Sequence, residues 1–228
     1  MAPLKLYYDL MSQPSRTVYI FLKLTKIPFQ DCPVALRKNE QSSKEFKEQL
    51  NRFQKVPFIH HGDFKLAEST AIVSYLTREY RELVLDHWYP KNSKAQAKLE
   101  EYLAWHHINM RLPCATYAFY KWMIPILTKT PPDEEILSKH KGNLVKCLDQ
   151  IKDLWLSKEP YFLGDHISVA DIFAACELEH LKLANDDAFE GRPELIAWLE
   201  RVRDVCNPVY DEAHAIVNKI AVKSNAKL

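Results

Sequence analysis

The first part of the chain alternates between strand-like and helix-like patterns of apolar side chains. Leu4, Leu6 and Tyr8 stand at every second position, which is the period of a half-buried strand, and a helical spacing of apolar residues begins after Pro14. Proline suits the first turn of a helix, because its missing N–H costs no hydrogen bond there. The pattern therefore predicts a strand that runs into a helix, with Ser12 at the turn between them.

Further short elements follow. Residues 28–36 are broken by a proline and predict a second strand at the edge of a sheet, whereas residues 38–50 are polar and only loosely helical. Two apolar runs around Gly62 predict a hairpin, and the residues from Ala67 onward predict a helix. The order strand, helix, strand, helix, hairpin, helix predicts an α/β module of the thioredoxin type, with a mixed four-stranded sheet, over residues 1–82.

The pattern changes after this module, since almost all of the remaining chain has helical spacing. Residues 83–93 contain turn-forming residues and predict a linker, and residues 94–228 predict an all-helical second domain. Within that domain, Ser168 and Asp171 have the spacing of a capping box at a helix start. We therefore interpret Asp171 as a structural residue and not as a catalytic one.

Composition narrows the possible functions. The chain has 228 residues, of which 47% are hydrophobic, and 31 Lys and Arg residues against 30 Asp and Glu residues give a net charge of +1. Because no basic run is present, we expect no nucleic-acid partner. No apolar run is long enough to cross a membrane, and the N-terminus lacks the apolar core of a secretion signal. We expect a soluble, cytoplasmic protein with no membrane partner.

The cysteines and histidines give no sign of a disulfide frame or a metal site. The five cysteines are scattered and form no Cys-x-x-Cys pair, which favours free thiols in a reducing compartment. Neighbouring side chains in the pairs His60–His61 and His106–His107 point apart, and no matching ligands flank them, so we expect no metal. The terminal Ala226–Lys227–Leu228 is close to the peroxisomal Ser-Lys-Leu address, which offers an alternative location.

Three separated segments fall at one edge of the predicted sheet: the Ser12 turn, Lys55–Pro57 and Glu68–Ser69. Thioredoxin-type modules carry a cis peptide bond before a proline at a strand start, which would let Val56 pair with an extended ligand. The helix start at Glu68–Ser69 offers N–H groups and a hydroxyl to a carboxylate, and Glu68 can accept from an ammonium group. Taken singly, these segments suit a helix cap, a trans proline and an exposed glutamate. Together they predict a pocket for a small zwitterionic peptide with a central thiol.

With these segments in place, the chain resembles the glutathione S-transferases, and most closely their theta class. The resemblance rests on residues 8–16 with Ser12, on Lys55–Pro57, Glu68–Ser69, Trp88–Pro90, Glu101–Trp105, Gly164–Asp171 and Glu190–Pro193. It implies conjugation of glutathione to small electrophiles such as alkyl halides and epoxides, with glutathione-dependent peroxidase activity beside it. Glutathione would be a cosubstrate, and no cofactor is implied. The family also implies a homodimer, with the first domain of one subunit against the helical domain of the other, and a role in detoxification.

The same resemblance implies roles for single residues. Ser12 would be catalytic, donating a hydrogen bond to the thiolate. The glutathione-binding residues would be Gln13, Gln41, Lys55, Val56, Pro57, Glu68 and Ser69. The electrophile pocket would include Leu10, Met11, Met110, Arg111, Cys114 and Tyr117. Gln41 stands where some theta members carry a histidine, so it keeps a donor but cannot become cationic. Arg111 matches an arginine that the class places facing the pocket, and an ordinary helix-surface arginine is the other interpretation.

Two alternatives stay open at this point. In a tyrosine-type transferase the donor would be Tyr7 or Tyr8, although tyrosines within strands commonly serve packing. The same two-domain architecture also serves in noncatalytic binding or scaffold proteins. A glutaredoxin-like oxidoreductase is disfavoured, because no cysteine occupies the turn at Ser12.

Overall fold

The structure is a computed structural model that describes residues 3–156 and 159–225. The terminal Ala226–Lys227–Leu228 lies outside the described residues. The chain divides into two compact units, of which the first is Met1–Leu85 with Pro208–Ala213 and the second is Asp86–Asn207 with His214–Leu228. The division after Leu85 falls inside the segment predicted as a linker. The sequence pattern does not predict that Pro208–Ala213 belongs to the first unit.

The first unit is built on one mixed sheet. Its strands are β1 (Leu4–Tyr8), β2 (Gln30–Pro33), β3 (Phe58–His61) and β4 (Phe64–Ala67), in the spatial order β2-β1-β3-β4. β1 runs parallel to β2 and antiparallel to β3, and β3 runs antiparallel to β4. Gly62 closes the β3–β4 hairpin with a φ of 62°, a conformation that glycine adopts without steric cost. The predicted thioredoxin-like sheet, with β2 as an edge strand, is confirmed.

Two helices and a run of short turns complete this unit. The helices are α1 (Gln13–Thr25) and α2 (Ser69–Glu79), which pack against each other. The polar segment after β2 forms 3₁₀ turns at Leu36–Lys38 and Glu40–Ser42 and a π turn at Phe46–Leu50. The helices bury the apolar faces that the sequence predicts, which include Val18, Phe21 and Leu22 on α1 and Ile72, Val73 and Leu76 on α2.

The second unit is helical, as predicted. Its helices are α3 (Ser93–His106), α4 (Leu112–Ala118), α5 (Ile124–Thr128), α6 (Glu134–Gln150), α7 (Val169–His180), α8 (Pro193–Cys206) and α9 (Val209–Asn225), which begins in the first unit. π turns at His107–Arg111 and Phe119–Met123 join α3, α4 and α5 into one helical run. Among the described residues, none of the helices combines the length and apolarity that crossing a membrane requires.

α7 lies in the core of the second unit, and the predicted capping box at its start is present. The fully buried Asp171 carboxylate accepts hydrogen bonds from the N–H of Ser168 at 2.9 Å, the N–H of Phe162 at 3.0 Å and the indole N–H of Trp198 at 3.0 Å. Burial raises the pKa of this carboxyl, and the donors around it oppose that shift. Asp171 therefore ties α7 to α8 and to the loop that holds Phe162.

Candidate active site

The sheet register brings the three predicted binding segments to one end of the first unit. Tyr7 on β1 pairs with Phe58 on β3, and Phe58 pairs with Ala67 on β4. At this end the chain leaves β1 toward Ser12, enters β3, and leaves β4 into Glu68. The segments are far apart in sequence, and they become neighbours because the strands that carry them are hydrogen-bonded partners.

Ser12 occupies the N-cap position of α1, yet its side chain makes no capping hydrogen bond within the described chain. Its backbone is extended, with φ −83° and ψ 125°, and its side chain is partly exposed. Its N–H donates to the carbonyl oxygen of Asp9 at 2.9 Å, and its carbonyl accepts from the N–H of Arg16 at 3.0 Å. The backbone of Ser12 is thus fixed, and its hydroxyl is left available at the positive end of the helix dipole.

Side chains hold the turn before Ser12 from two sides. The Asp9 carboxylate accepts from the N–H of Met11 at 2.9 Å and from the N–H of Leu36 at 3.1 Å. Arg16, which has no exposed surface, donates from Nη1 to the carbonyl oxygens of Leu10 at 2.9 Å and Met11 at 3.3 Å. No sequence motif marks either side chain. The signal that could have indicated Arg16 is a charged residue on an otherwise apolar face of α1.

The second segment precedes β3. The peptide bond between Val56 and Pro57 is cis, as predicted. In the described part of the chain, the backbone N–H and C=O of Val56 have no hydrogen-bond partner, and Val56 is half-buried. The carbonyl of Lys55 accepts from Nδ2 of Asn51 at 2.8 Å, while the Lys55 residue itself is exposed. Val56 therefore presents a free backbone edge beside β3, where an extended peptide can pair with it.

The third segment begins α2. Glu68 is exposed and has φ 70° and ψ 114°, a conformation that is unfavourable for a residue with a side chain. Strain of this kind is often found at functional sites. Glu68 accepts through its carbonyl from the N–H of Ile72 at 2.9 Å, so the N–H groups of Ser69, Thr70 and Ala71 precede the first intrahelical bond. This helix start has the donors that a carboxylate needs.

A cavity of about 470 Å³ adjoins Glu68, between the Lys47–Phe53 segment and the β3–β4 hairpin. Its charged lining residues are Lys47, Glu48, Arg52, Lys65 and Glu68. The two predicted glutamine contacts do not line this cavity. Gln41 donates from Nε2 to Oδ1 of Asn39 at 3.2 Å, and Gln13 is largely buried at the start of α1.

Both tyrosines at the end of β1 already interact with neighbouring side chains. The Tyr8 hydroxyl donates to Oδ1 of Asp31 at 3.0 Å, and burial together with this carboxylate raises the pKa of Tyr8. The Tyr7 ring stacks on Phe58 with centroids 4.4 Å apart, and burial and the neighbouring Cys32 raise the pKa of Tyr7. A phenol that already donates, or that is harder to ionise, is a poorer partner for a thiolate.

The predicted electrophile-pocket residues fall in both units. Leu10 and Met11 are partly exposed in the first unit, beside Ser12. Met110, Cys114 and Tyr117 are at most 1% exposed and have almost no surface to offer a ligand. The helical spacing that groups them is the spacing of a core face, and they pack inside the second unit.

Polar contacts hold these helical-unit residues in place. The Tyr102 hydroxyl donates to Sδ of Met110 at 3.4 Å, and the Tyr117 hydroxyl donates to the Asp186 carboxylate. Arg111 pairs with the buried Glu177 at 2.5 Å. The Arg111 side chain is 31% exposed, and its guanidinium neutralises a buried carboxylate on α7.

The cysteines are free thiols, and four of the five are buried. A hydrogen bond with Cys147 and burial raise the pKa of Cys114. Within the described residues, no group of three or more histidine, cysteine, aspartate and glutamate side chains is arranged to hold a metal ion.

Comparisons with known proteins agree with this architecture. Residues 2–78 match the glutathione S-transferase N-terminal domain, and residues 134–201 match the C-terminal domain. Over 217 residues, which are 95% of this chain and 89% of the relative, the sequence is 43% identical to glutathione S-transferase theta-3 of Mus musculus.

Solved structures give the same assignment. The apo form of human glutathione S-transferase T1-1 matches with a TM-score of 0.90 and 40% identity, over 96% of this chain and 90% of that one. A human theta-class glutathione transferase in complex with the glutathione conjugate of 1-menaphthyl sulfate matches with a TM-score of 0.90 and 36% identity, over 99% and 91% of the two chains. The chain therefore belongs to the glutathione S-transferases, a family of transferase enzymes, and within them to the theta class.

Proposed function

We propose that the protein conjugates glutathione to small electrophiles and that the Ser12 hydroxyl stabilises the reacting thiolate. One observation carries the proposal: Ser12 caps no helix N–H, although it stands at the N-cap of α1. The side-chain oxygen of a serine at this position commonly accepts a hydrogen bond from a backbone N–H of the first helical turn. Here the hydroxyl is left for a ligand, at the sheet end where the Val56 backbone and the start of α2 also lie.

The energies fit a single hydroxyl donor. A thiol with a reference pKa of ~8.5 must shift down by roughly two units to be mostly ionised at neutral pH, which is about 2.7 kcal/mol. A hydrogen bond to a charged group contributes about 1.5 to 3 kcal/mol, and a helix N-terminus adds about 0.3 to 1 kcal/mol. Together they contribute about 1.8 to 4 kcal/mol, a range that includes the required 2.7 kcal/mol, so the proposal calls for no buried base.

The remaining site residues bind the cysteinyl backbone and the two charged ends of glutathione. The free N–H and C=O of Val56 pair with the backbone of the cysteinyl unit as an added strand. The Glu68 carboxylate accepts from the ammonium group of the γ-glutamyl end, and the hydroxyl of Ser69 with the N–H groups of α2 holds its carboxylate. Lys55, which is exposed, meets the glycine carboxylate.

Three further residues support this arrangement. Pro57 fixes the direction in which the chain enters β3, and Gln13 lies next to Ser12 near the peptide backbone of the ligand. Gln41 adds a neutral donor on the glycine side once its bond to Asn39 is exchanged for the ligand. Because a neutral donor binds a carboxylate less strongly than a cation does, this contact contributes little affinity.

For the electrophile we propose small alkyl halides and epoxides, with hydroperoxides as substrates of a glutathione-dependent peroxidase activity. Leu10 and Met11 supply apolar surface next to Ser12. No cofactor takes part, because the thiolate itself is the nucleophile. We also propose a cytoplasmic homodimer. A fluorescent fusion with and without residues 226–228 tests the location.

A titration of glutathione against the protein at neutral pH tests the activity. Thiolate absorbance is read alongside the turnover of an alkyl halide, an epoxide and a hydroperoxide. The proposal predicts that thiolate absorbance rises with occupancy and that at least one electrophile is consumed. A protein that binds glutathione without either change is the noncatalytic binding protein that the sequence left open.

A further inference from the structure

Arg16 is a charged side chain with no exposed surface, on the first turns of α1. Burying a guanidinium is costly unless hydrogen bonds replace its contacts with water. Nη1 of Arg16 donates to the carbonyl oxygens of Leu10 at 2.9 Å and Met11 at 3.3 Å. The buried cation is therefore directed at the two residues that immediately precede Ser12.

The same short stretch is fixed by Asp9 from the strand side. The carboxylate of Asp9 accepts from the N–H of Met11, and its backbone carbonyl accepts from the N–H of Ser12. The carbonyl of Ser12 in turn accepts from the backbone N–H of Arg16. Each residue from Leu10 to Ser12 thus has a backbone group bonded to Asp9 or to Arg16.

We propose that Arg16 is a positioning residue, which holds the Ser12 turn through the carbonyls of Leu10 and Met11 so that the serine hydroxyl meets the thiol of glutathione. The inference rests on the proposed function and adds to it the group that places the donor. Arginine suits this task because its planar fork of N–H donors is rigid, whereas the ammonium group of lysine is a point charge on a flexible stem. A displacement of about 1 Å in a reacting group can cost about 100-fold in rate.

The test compares Arg16→Lys and Arg16→Gln in the unaltered chain and in a Ser12→Ala background. Arg78→Lys and Arg78→Gln are matched controls, because Arg78 is an exposed arginine on α2 whose Nη1 bonds only Ser74 in the described chain. We expect both Arg16 variants to raise the pKa of the bound glutathione thiol and to lower kcat about 10- to 100-fold, while KM for glutathione stays within about threefold. In the Ser12→Ala background, the same changes should alter kcat by less than about twofold.

Two results would overturn the inference. One is an unchanged thiol pKa in both Arg16 variants. The other is the same fractional loss with and without Ser12, which would mean that Arg16 does not act through the serine. If the unaltered protein does not lower the thiol pKa at all, the proposed function itself fails, so the two failures are distinguishable.

The thiol pKa is a property of folded, liganded molecules, so a reduced folded fraction does not distort it. If neither Arg16 variant folds, hydrogen exchange on the unaltered chain decides. The guanidinium N–H groups of Arg16, which donate to the carbonyls of Leu10 and Met11, should then exchange measurably more slowly than those of the exposed Arg78. Equal exchange at the two arginines would show that Arg16 does not hold the turn, and the inference would be wrong.

Discussion

The Tyr8 hydroxyl donates a hydrogen bond to the Asp31 carboxylate across the parallel pair β1–β2, with 3.0 Å between the oxygens. This bond uses the only hydrogen that the phenol can donate. Its proton is also harder to remove, since burial and the neighbouring carboxylate raise the pKa of Tyr8. The strand tyrosine is therefore part of the sheet, which supports the proposal that the donor is Ser12, four residues later.

Tyr8→Phe should leave conjugation within about threefold of the unaltered protein. The change removes one partly exposed hydrogen bond, so we expect a loss of about 0.5 to 1.5 kcal/mol in the free energy of unfolding. Steady-state kinetics and urea unfolding measure the two effects. A loss of activity larger than that of Ser12→Ala would assign the donor to the tyrosine instead.

Glu68→Gln should weaken glutathione binding and leave the chemical step almost unchanged. The amide cannot neutralise the ammonium group of the γ-glutamyl end, and a hydrogen bond to a charged group contributes about 1.5 to 3 kcal/mol. KM for glutathione should therefore rise about tenfold or more, with kcat within about threefold. Glu79→Gln, an exposed glutamate at the other end of α2, is the matched control. Equal kinetics for the two variants would remove Glu68 from the site.

The sequence predicts some parts of the candidate site and misses others, depending on whether a residue contacts side chains or the backbone. The Ser12, Val56–Pro57 and Glu68–Ser69 segments are predictable, because each sits at the boundary of an element whose order defines the sheet. Arg16 donates to backbone carbonyls, and no side-chain motif reveals contacts of this kind.

Met110, Cys114 and Tyr117 illustrate a second limit, which concerns what helix periodicity can predict. Spacing shows that residues share a helix face, but it does not show whether that face meets a ligand or the core. The partners that bury these side chains come from distant parts of the chain, such as Cys147 on α6 and Asp186 after α7. Their burial follows from tertiary packing that local patterns do not contain.

His106 should make the second unit sensitive to acid. The side chain is 3% exposed, and burial, together with the charge of Arg111, lowers the pKa of His106 to about 3. In the unfolded chain the pKa of this histidine is about 6.5. Below that pH the unfolded state therefore binds a proton that the folded state does not bind. The free energy of unfolding therefore decreases as pH falls below 6.5, and His106 accounts for a loss of about 2 kcal/mol at pH 5.

Urea unfolding of the unaltered protein and of His106→Gln at pH 5 to 7.5 checks this dependence. The variant should lose stability less steeply on acidification. His166→Gln, at an exposed position of the second unit, is the control. Parallel curves for all three proteins would contradict the assignment.

Asp171→Ala should destabilise the fold without affecting the chemistry of folded molecules. It leaves four buried donors without their acceptor: the N–H and the hydroxyl of Ser168, the N–H of Phe162 and the indole N–H of Trp198. Each buried unsatisfied group costs about 1 to 3 kcal/mol, so we expect a loss of about 3 kcal/mol or more. Asp133→Ala removes an exposed N-cap aspartate of α6 and should cost about 1 kcal/mol. A loss for Asp171 no larger than for Asp133 would contradict the account.

The central claim is that the Ser12 hydroxyl stabilises the glutathione thiolate. The most direct test is the pKa of the thiol in bound glutathione, read from thiolate absorbance across pH in the unaltered protein and in Ser12→Ala. We predict a pKa near 6.5 in the unaltered protein, a rise of about one to two units in the variant, and little change in glutathione affinity. A variant that still binds glutathione with the thiol pKa of the unaltered protein would contradict the claim.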